Sequence, residues 1–175
     1  MLLLNYIEEQ ILLGELPLYY NAATCTYKEN DTKQFVGTKE MMQFTHTFIR
    51  NYERTSDFLN LIDPIKFHFM AKTGIGLDMK LKAIKLNFNP QSNEYTSEQH
   101  FTPHLDMVGE EGITAIYYVN DADGDTFFFD NDGNITERIT PKKGTMVYFD
   151  NNMWHAGQPP KFSTFRSIIN FNWVK

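Results

Sequence analysis

The chain has 175 residues and a formal net charge of −6, with 42% hydrophobic and 22% charged residues. This length suits one domain, and the balance of apolar and charged residues is that of a folded globular chain rather than a disordered one. The acidic charge argues against sequence-independent binding to nucleic-acid backbones, and no apolar run approaches the ~18 residues that a membrane span needs. Cys25 is the only cysteine, which excludes an intramolecular disulfide and favours a reducing cytoplasmic compartment.

The first part of the chain is predicted to be helical. Apolar residues recur at helical spacing in three segments, residues 3–12, 38–53 and 56–74. Thr38 is the expected N-cap of the second helix, while Ser56 and Gly74 are expected to begin and end the third.

From about residue 80 the hydrophobic period changes from that of a helix to that of a strand. Eight short segments are predicted as strands, with turn signals such as Asp132-Gly133 between them: residues 79–89, 100–107, 113–120, 125–130, 135–140, 144–150, 154–158 and 165–174. Consecutive short strands with no helix between them favour an antiparallel sandwich or jelly roll. We therefore expect one domain over residues 1–175, with a helical buttress in 1–78 packed on one sheet of a β core in 79–175.

A candidate metal site stands out among the five histidines. His104 and Asp106 are two residues apart on a predicted strand, so their side chains would project from the same face. His155 begins a later strand and could supply a third ligand. Two histidines and one carboxylate on one face of a metal are typical of non-haem Fe(II) oxygenases, which leave positions open for cosubstrate and O₂. Arg166 follows at the start of the last strand, and a guanidinium inside a barrel needs a carboxylate to meet it.

These motifs resemble those of the 2-oxoglutarate- and Fe(II)-dependent oxygenases, most closely the prolyl-4-hydroxylase-like branch and its small phage-encoded members. The "HLD…WHAG…R" series matches the order and approximate spacing of that family's His-x-Asp…His…Arg pattern. The strands "AIYYVN" and "DADGDTFF" are similar to two further family segments, and the resemblance covers about residues 80–175. It implies a double-stranded β-helix, which is a jelly roll buttressed by helices on one sheet, with the catalytic core in residues 79–175 and the substrate side of the site shaped by residues 1–78.

The resemblance also implies roles for particular residues. His104, Asp106 and His155 would bind Fe(II). Arg166 would pair with the distal carboxylate of 2-oxoglutarate, and Tyr118 would donate its hydroxyl to the same carboxylate.

Other positions have two interpretations each. Asn87 and Asn89 would lie near the metal-bound end of the cosubstrate, although asparagines before a proline are also typical of a turn. Thr126 and Asn170 would line the pocket or pack in the core. His100 would lie at the rim of the site, in contact with substrate or in an exposed loop.

The implied activity is hydroxylation of an unactivated C–H bond, with succinate and CO₂ as coproducts. A prolyl or other peptidyl substrate is favoured, and the implied cofactors are Fe(II), 2-oxoglutarate and O₂, with ascorbate as an optional addition. The expected location is the cytoplasm, or the host cytoplasm for a phage-encoded protein, with neither nucleic acid nor membrane as partner. Oligomeric state is left open.

Three alternatives remain open from the sequence. The enzyme could hydroxylate a small metabolite. The chain could be a non-catalytic cupin-like module that binds metal or a small ligand, which would need neither Arg166 nor Tyr118 on the inner face. A nucleic-acid demethylase of the same superfamily would carry a second arginine six residues after the first, where this chain has Asn172.

Overall fold

The computed structural model describes residues 2–24 and 34–175, and Cys25 lies outside them. Within these residues the chain forms two helices and ten strands. In chain order they are α1 (Leu2–Leu12), β1 (Tyr19–Asn21), β2 (Gln43–Arg50), β3 (Glu53–Arg54), α2 (Leu59–Thr73), β4 (Lys80–Pro90), β5 (Gly112–Tyr118), β6 (Thr126–Phe129), β7 (Ile135–Ile139), β8 (Met146–Asp150), β9 (Trp154–Gly157) and β10 (Phe165–Val174).

The strands form two antiparallel sheets. The larger sheet has seven strands in the order β1-β2-β4-β10-β5-β8, with β3 paired to β2 off this path, and the smaller sheet has the order β7-β6-β9. The long β4 and β10 pair over nearly their whole length and form the centre of the larger sheet. The predicted jelly roll with helices on one sheet is thereby confirmed. The predicted division of the chain needs adjustment, because the first 78 residues also supply three strands to the larger sheet.

One hydrophobic core lies between the helices and the outer face of the larger sheet. Ile7 and Ile11 of α1 and Phe69 of α2 are buried there against Phe171 and Trp173 of β10. Burying such side chains contributes about 1.5–3 kcal/mol each relative to leaving them exposed. The helices therefore cover one face of the larger sheet and leave the other face to the smaller sheet.

A second cluster fills the space between the two sheets. It contains Ile116 and Tyr118 of β5, Phe128 of β6, Phe149 of β8 and Ile168 of β10. Because successive strand residues point to opposite faces, β5 and β10 each contribute to both cores. The face of β10 that carries Ile168 is also the face on which functional side chains can lie.

The helix predicted for residues 38–53 is wrong, because this segment contains strand β2. Phe44 and Phe48 fit helical spacing, but they are four residues apart and equally fit one face of a strand. The β2 strand pairs with β1, β3 and β4, and these pairings decide between the two periods. Asn51 and Tyr52, both with positive φ, form the tight turn into β3. Thr38 forms an isolated bridge with His100 instead of capping a helix.

The helix predicted for residues 56–74 is confirmed as α2. Gly74 ends it in the left-handed conformation, and its N–H donates to the carbonyl oxygen of Met70. Ser56 lies before the helix, where its hydroxyl accepts a hydrogen bond from the N–H of Phe58 at 3.0 Å. Among residues 2–24 and 34–175, neither helix is long and apolar enough to cross a membrane.

The strand predicted for residues 100–107 is also wrong. Only His100 and His104 form isolated bridges there, and the rest of the segment is loop. Pro103 lacks the N–H that a continuous ladder requires, and the N–H of Thr102 donates to the carboxylate of Glu40 instead of to a strand. The other seven predicted strands of this half are present, so the β core was predicted correctly apart from this loop.

Replacing Phe171 with alanine tests the helix-side core. Phe171 is fully buried, and its ring stacks on Trp173 with centroids 5.6 Å apart. We expect Phe171→Ala to lower the free energy of unfolding by about 3–5 kcal/mol because it leaves a cavity. The matched control is Phe162→Ala, at a ring that is 81% exposed, for which we expect a change within about 0.5 kcal/mol. Urea unfolding monitored by circular dichroism measures both, and equal effects would contradict this account of the core.

Candidate metal and cosubstrate site

The site is organised by a backbone bridge between the loop of His104 and strand β9. The N–H of His104 donates to the carbonyl of His155 at 2.9 Å, and the N–H of His155 donates back at 3.2 Å. Their imidazole rings lie 4.5 Å apart between centroids. The His-x-Asp pair therefore reaches β9 from a loop rather than from the continuous strand that the sequence predicted.

Three candidate ligands converge at this bridge. One ligand atom from each of His104, Asp106 and His155 lies within 4.8 Å of the others. The Nε2 atom of His104 is 3.6 Å from Oδ1 of Asp106, and the Nε2 atom of His155 is 3.8 Å from Oδ2. These separations are too long for hydrogen bonds but suit atoms that surround a shared ion.

The other ring nitrogens determine which nitrogen carries the proton. Nδ1 of His104 lies 3.2 Å from the carbonyl of Thr102, and Nδ1 of His155 lies 3.0 Å from that of Met153. A carbonyl oxygen only accepts, so each Nδ1 carries the hydrogen and each Nε2 is left with its lone pair toward Asp106. Histidines that bind metals typically donate their other N–H in this way.

Electrostatics favour the metal-binding protonation states. Burial lowers the pKa of His104 to about 4, and the neighbouring His155 acts in the same direction. For Asp106 burial acts to raise the pKa, but His155, His104 and hydrogen bonds from Thr114 and Asn172 outweigh it, so the net direction is downward. At neutral pH the site therefore offers a neutral His104 imidazole and an ionised carboxylate.

Arg166 lies in the same cavity as the two histidines. Only 2% of its surface is exposed, and burial lowers the pKa of its guanidinium. Its Nε donates to the carbonyl of Gly124 at 2.8 Å and its Nη2 to the hydroxyl of Thr126 at 2.7 Å. None of the ion pairs found in residues 2–24 and 34–175 involves Arg166. A buried cation held only by neutral groups fits an anionic ligand.

Glycine and hydroxyl groups shape the surroundings of Arg166. A Cβ atom at Gly157 would lie 3.1 Å from Nη1 of Arg166, so the missing side chain gives the guanidinium room. Tyr118 is fully buried, its pKa is raised by burial, and its hydroxyl donates to Thr126 Oγ1 at 2.9 Å. Thr126 accepts from both neighbours and keeps its own proton for a ligand. Tyr118 stands behind Thr126 in this arrangement, and its direct contact with a carboxylate stays a prediction.

Three asparagines line the cavity with polar atoms that lack partners. They are Asn87 and Asn89 of β4 and Asn170 of β10. Oδ1 of Asn87, Nδ2 of Asn89 and Oδ1 of Asn170 are buried without a hydrogen bond, as is Nε2 of His155. Each buried unpaired polar group costs about 1–3 kcal/mol. These atoms are oriented for a polar ligand rather than for packing.

The residues present fit a divalent metal ion with a dicarboxylate ligand. His104, Asp106 and His155 would hold the metal, since two imidazoles and a carboxylate suit Fe(II). Arg166 and Thr126 would hold a distal carboxylate. The non-catalytic alternative required neither Arg166 nor Tyr118 on the inner face, yet Arg166 lines the cavity and Tyr118 lies between the sheets.

The other histidines lie away from this cluster. His100 is fully buried beside Phe127 and Phe129, with its ring nitrogens near the carbonyls of Phe101 and Val36, so the predicted rim or exposed-loop position is wrong. His46 is buried on β2, where its two ring nitrogens contact the carbonyl of Pro17 and the hydroxyl of Ser56 at 2.7 Å each. His68 lies on the exposed face of α2.

Sequence analysis missed two residues that contact Asp106. Thr114 and Asn172 both donate to its Oδ2 atom. A signal for Asn172 was present in β10, where Arg166, Asn170 and Asn172 alternate along one strand face.

A family model describes the part of the chain that carries these residues. The model of the 2OG-Fe(II) oxygenase superfamily matches residues 90–174, a range that includes all three candidate ligands and Arg166. No curated protein sequence matches the chain significantly.

Solved structures of similar fold point the same way. A 2OG-Fe(II) oxygenase family oxidoreductase from Burkholderia pseudomallei aligns over 97% of this chain and 78% of its own, with 12% identity and a TM-score of 0.65. A Pseudomonas putida prolyl-4-hydroxylase aligns over 99% and 87%, with 16% identity and a TM-score of 0.57. A prolyl hydroxylase from Trichoplax adhaerens, in complex with a hypoxia inducible factor peptide fragment, aligns over 99% and 79%, with 13% identity and a TM-score of 0.59. At these identities the likeness concerns the fold. The family match covers residues 90–174, just under half of the chain, and together with the convergence of the candidate ligands it supports a 2-oxoglutarate-dependent dioxygenase of the 2OG-Fe(II) oxygenase superfamily.

Proposed function

We propose that the chain hydroxylates an unactivated C–H bond of a prolyl or other peptidyl substrate, using Fe(II) held by His104, Asp106 and His155. 2-Oxoglutarate would bind with its distal carboxylate on Arg166. One observation carries this proposal: two candidate ligands, His104 and His155, and a buried guanidinium without an acidic partner line the same cavity.

The side chains have separable tasks in this proposal. The two imidazoles keep their Nδ1 protons on backbone carbonyls, which fixes the Nε2 lone pairs toward the metal. Arg166 and Thr126 orient the cosubstrate by its far end, and Asn87, Asn89 and Asn170 offer hydrogen bonds along its length. When bound, Fe(II) would supply the chemistry that puts one oxygen atom of O₂ into the C–H bond as a hydroxyl group and the other into succinate, as 2-oxoglutarate loses CO₂. Any requirement for ascorbate stays a prediction.

Two features support a peptidyl substrate. Proteins of similar fold include a prolyl-4-hydroxylase and a prolyl hydroxylase bound to a peptide fragment. The cavity lining also extends to Thr24 and Gln43, next to the edge strand β1.

A small metabolite is the second candidate substrate. The cavity lining favours it, because Gln43, Lys85, Asn87 and Asn170 place amides and an ammonium group near the metal ligands. Such a lining suits a compact polar molecule more than a prolyl ring. We retain the cytoplasm as the proposed location, and we propose no nucleic-acid partner.

Replacing Asp106 with alanine tests the metal assignment. We expect Asp106→Ala to reduce succinate formation from 2-oxoglutarate to the background of metal-free protein, because one of three ligands is lost. The control is Asp57→Ala, since the Asp57 side chain is fully exposed. Mass spectrometry of succinate measures both. Turnover in Asp106→Ala equal to that of the wild type would remove the carboxylate from the metal site.

Replacing Arg166 with methionine tests the cosubstrate assignment. The change leaves a buried carboxylate without its cation, which costs about 2–5 kcal/mol in comparable charge pairs, or roughly 30- to 5,000-fold in affinity. We expect the dissociation constant for 2-oxoglutarate to rise by that factor in an anaerobic titration with Fe(II), followed by the visible charge-transfer band. The control is Arg50→Met, at an exposed position at the end of β2. An unchanged constant in Arg166→Met would place the distal carboxylate elsewhere.

A substrate panel separates the two candidate substrate classes. Proline-containing peptides are compared with free L-proline and other free amino acids for their ability to accelerate succinate formation, and products are checked for an added oxygen by mass spectrometry. We expect the peptides to be hydroxylated and the free amino acids to remain unchanged. The reverse result would replace the peptidyl proposal with the metabolite proposal.

A further inference from the structure

We infer that Thr114 and Asn172 form a positioning pair that holds the Asp106 carboxylate in the orientation in which it would meet a metal ion. The inference rests on the proposed function, because it concerns how this chain presents one of the three proposed ligands.

The contacts form a closed triangle. Thr114 Oγ1 donates to Asp106 Oδ2 at 2.8 Å, and Asn172 Nδ2 donates to the same oxygen at 2.9 Å. Asn172 Nδ2 also lies 3.0 Å from Thr114 Oγ1, which accepts from it. Thr114 is fully buried and Asn172 is 5% exposed, so water does not compete for these bonds.

The fold explains why these two residues meet Asp106. Thr114 and Asn172 are direct partners across the β5–β10 ladder, so their side chains project from the same face of the sheet. Asp106 lies in the loop before β5, outside any strand. Its own backbone therefore constrains its side chain less than the two strand residues do. The orientation of the carboxylate is set by the central strands of the larger sheet.

The two oxygens of Asp106 consequently differ. Oδ2 accepts two hydrogen bonds, which engage the lone pairs that a second metal bond would use. Oδ1 lies 3.6 Å from Nε2 of His104, and Oδ2 lies 3.8 Å from Nε2 of His155. The hydrogen bonds, rather than the distances to the histidines, therefore distinguish the two oxygens. They hold the carboxylate in one orientation toward the two histidines.

The test measures metal affinity rather than turnover. Metal-free protein is titrated with Mn²⁺, and free Mn²⁺ is followed by electron paramagnetic resonance. We expect Thr114→Val and Asn172→Leu each to weaken Mn²⁺ binding about 10- to 100-fold, as loss of a partner that orients a ligand does in other metal sites. Thr114→Ser keeps the hydroxyl and should retain affinity near that of the wild type.

Controls separate positioning from general destabilisation. Thr45→Val removes another buried threonine hydroxyl, one that accepts from Asn21 on β1. Thr45 lies on β2, which β4 separates from β10, so this change should leave Mn²⁺ affinity unchanged. The double variant Thr114→Val/Asn172→Leu should lose less than the product of the single losses, because the two side chains also bond to each other. Thermal unfolding of the metal-free variants shows whether each is folded, and Asn172→Ala replaces Asn172→Leu if the larger side chain prevents folding.

The outcomes are distinct. If folded Thr114→Val and Asn172→Leu proteins bind Mn²⁺ within about twofold of the wild-type affinity, the positioning pair is overturned. In that case Asp106→Ala should still fail to bind Mn²⁺, and the proposed function stands. A folded wild-type protein that binds no Mn²⁺ would overturn the proposed function and this inference together.

Discussion

The active site depends on one pair of backbone hydrogen bonds, between His104 and His155. These residues lie 51 positions apart in the sequence, and the two bonds, at 2.9 and 3.2 Å, place their rings side by side. The bridge joins the loop of His104 to β9, which belongs to the smaller sheet. Asp106 of the same loop is held by hydrogen bonds from Thr114 of β5 and Asn172 of β10, which belong to the larger sheet. The three candidate metal ligands are thus fixed from both sheets. Any movement of one sheet relative to the other would separate them, and the packed cluster between the sheets opposes that movement.

Strand alternation divides the larger sheet into a structural face and a chemical face. On β5, Tyr117 belongs to the core beneath the helices, whereas Tyr118 donates to Thr126 beside Arg166. On β10, Phe171 and its neighbours in the helix-side core alternate with the polar residues that line the cavity. The same ten-residue strand therefore stabilises the fold and lines the candidate site. Each central strand therefore serves both purposes, with core side chains on one face and side chains of the candidate site on the other.

The sequence allowed prediction of those features that depend on local pattern. Period-two alternation identified seven of the eight segments that the sequence suggested as strands in the β core, and the spacing of His104, Asp106, His155 and Arg166 was informative because the chemistry restricts the residue types. Prediction from the sequence failed where a pattern of apolar residues fits both the helical and the strand period, as in β2. The pairing of β2 with three other strands depends on tertiary structure, which the local pattern does not contain. Prediction also failed for His100, because burial between Phe127 and Phe129 depends on how the smaller sheet packs. The pairing of Thr114 with Asn172 was predictable in principle, because both residues lie on strands that the sequence identified, β5 and β10. Their contact with Asp106 was not predictable, because Asp106 lies in a loop.

The buried polar groups of the site lower the free energy of unfolding, and their positions indicate what kind of ligand the cavity fits. Arg166 and the asparagines of β4 and β10 are polar groups withdrawn from water, several of them without complete hydrogen bonding, and each lowers the free energy of unfolding. The helix-side core, with its large aromatic and aliphatic side chains, supplies the compensating burial. An apolar ligand would leave these polar atoms unpaired and would gain little from the cavity. A ligand with oxygen atoms at both ends would satisfy Arg166 at one end and a metal held by the candidate ligands at the other, and the amides between them would donate and accept hydrogen bonds along its length. The distribution of unpaired polar atoms, more than the shape of the cavity, therefore fits a dicarboxylate.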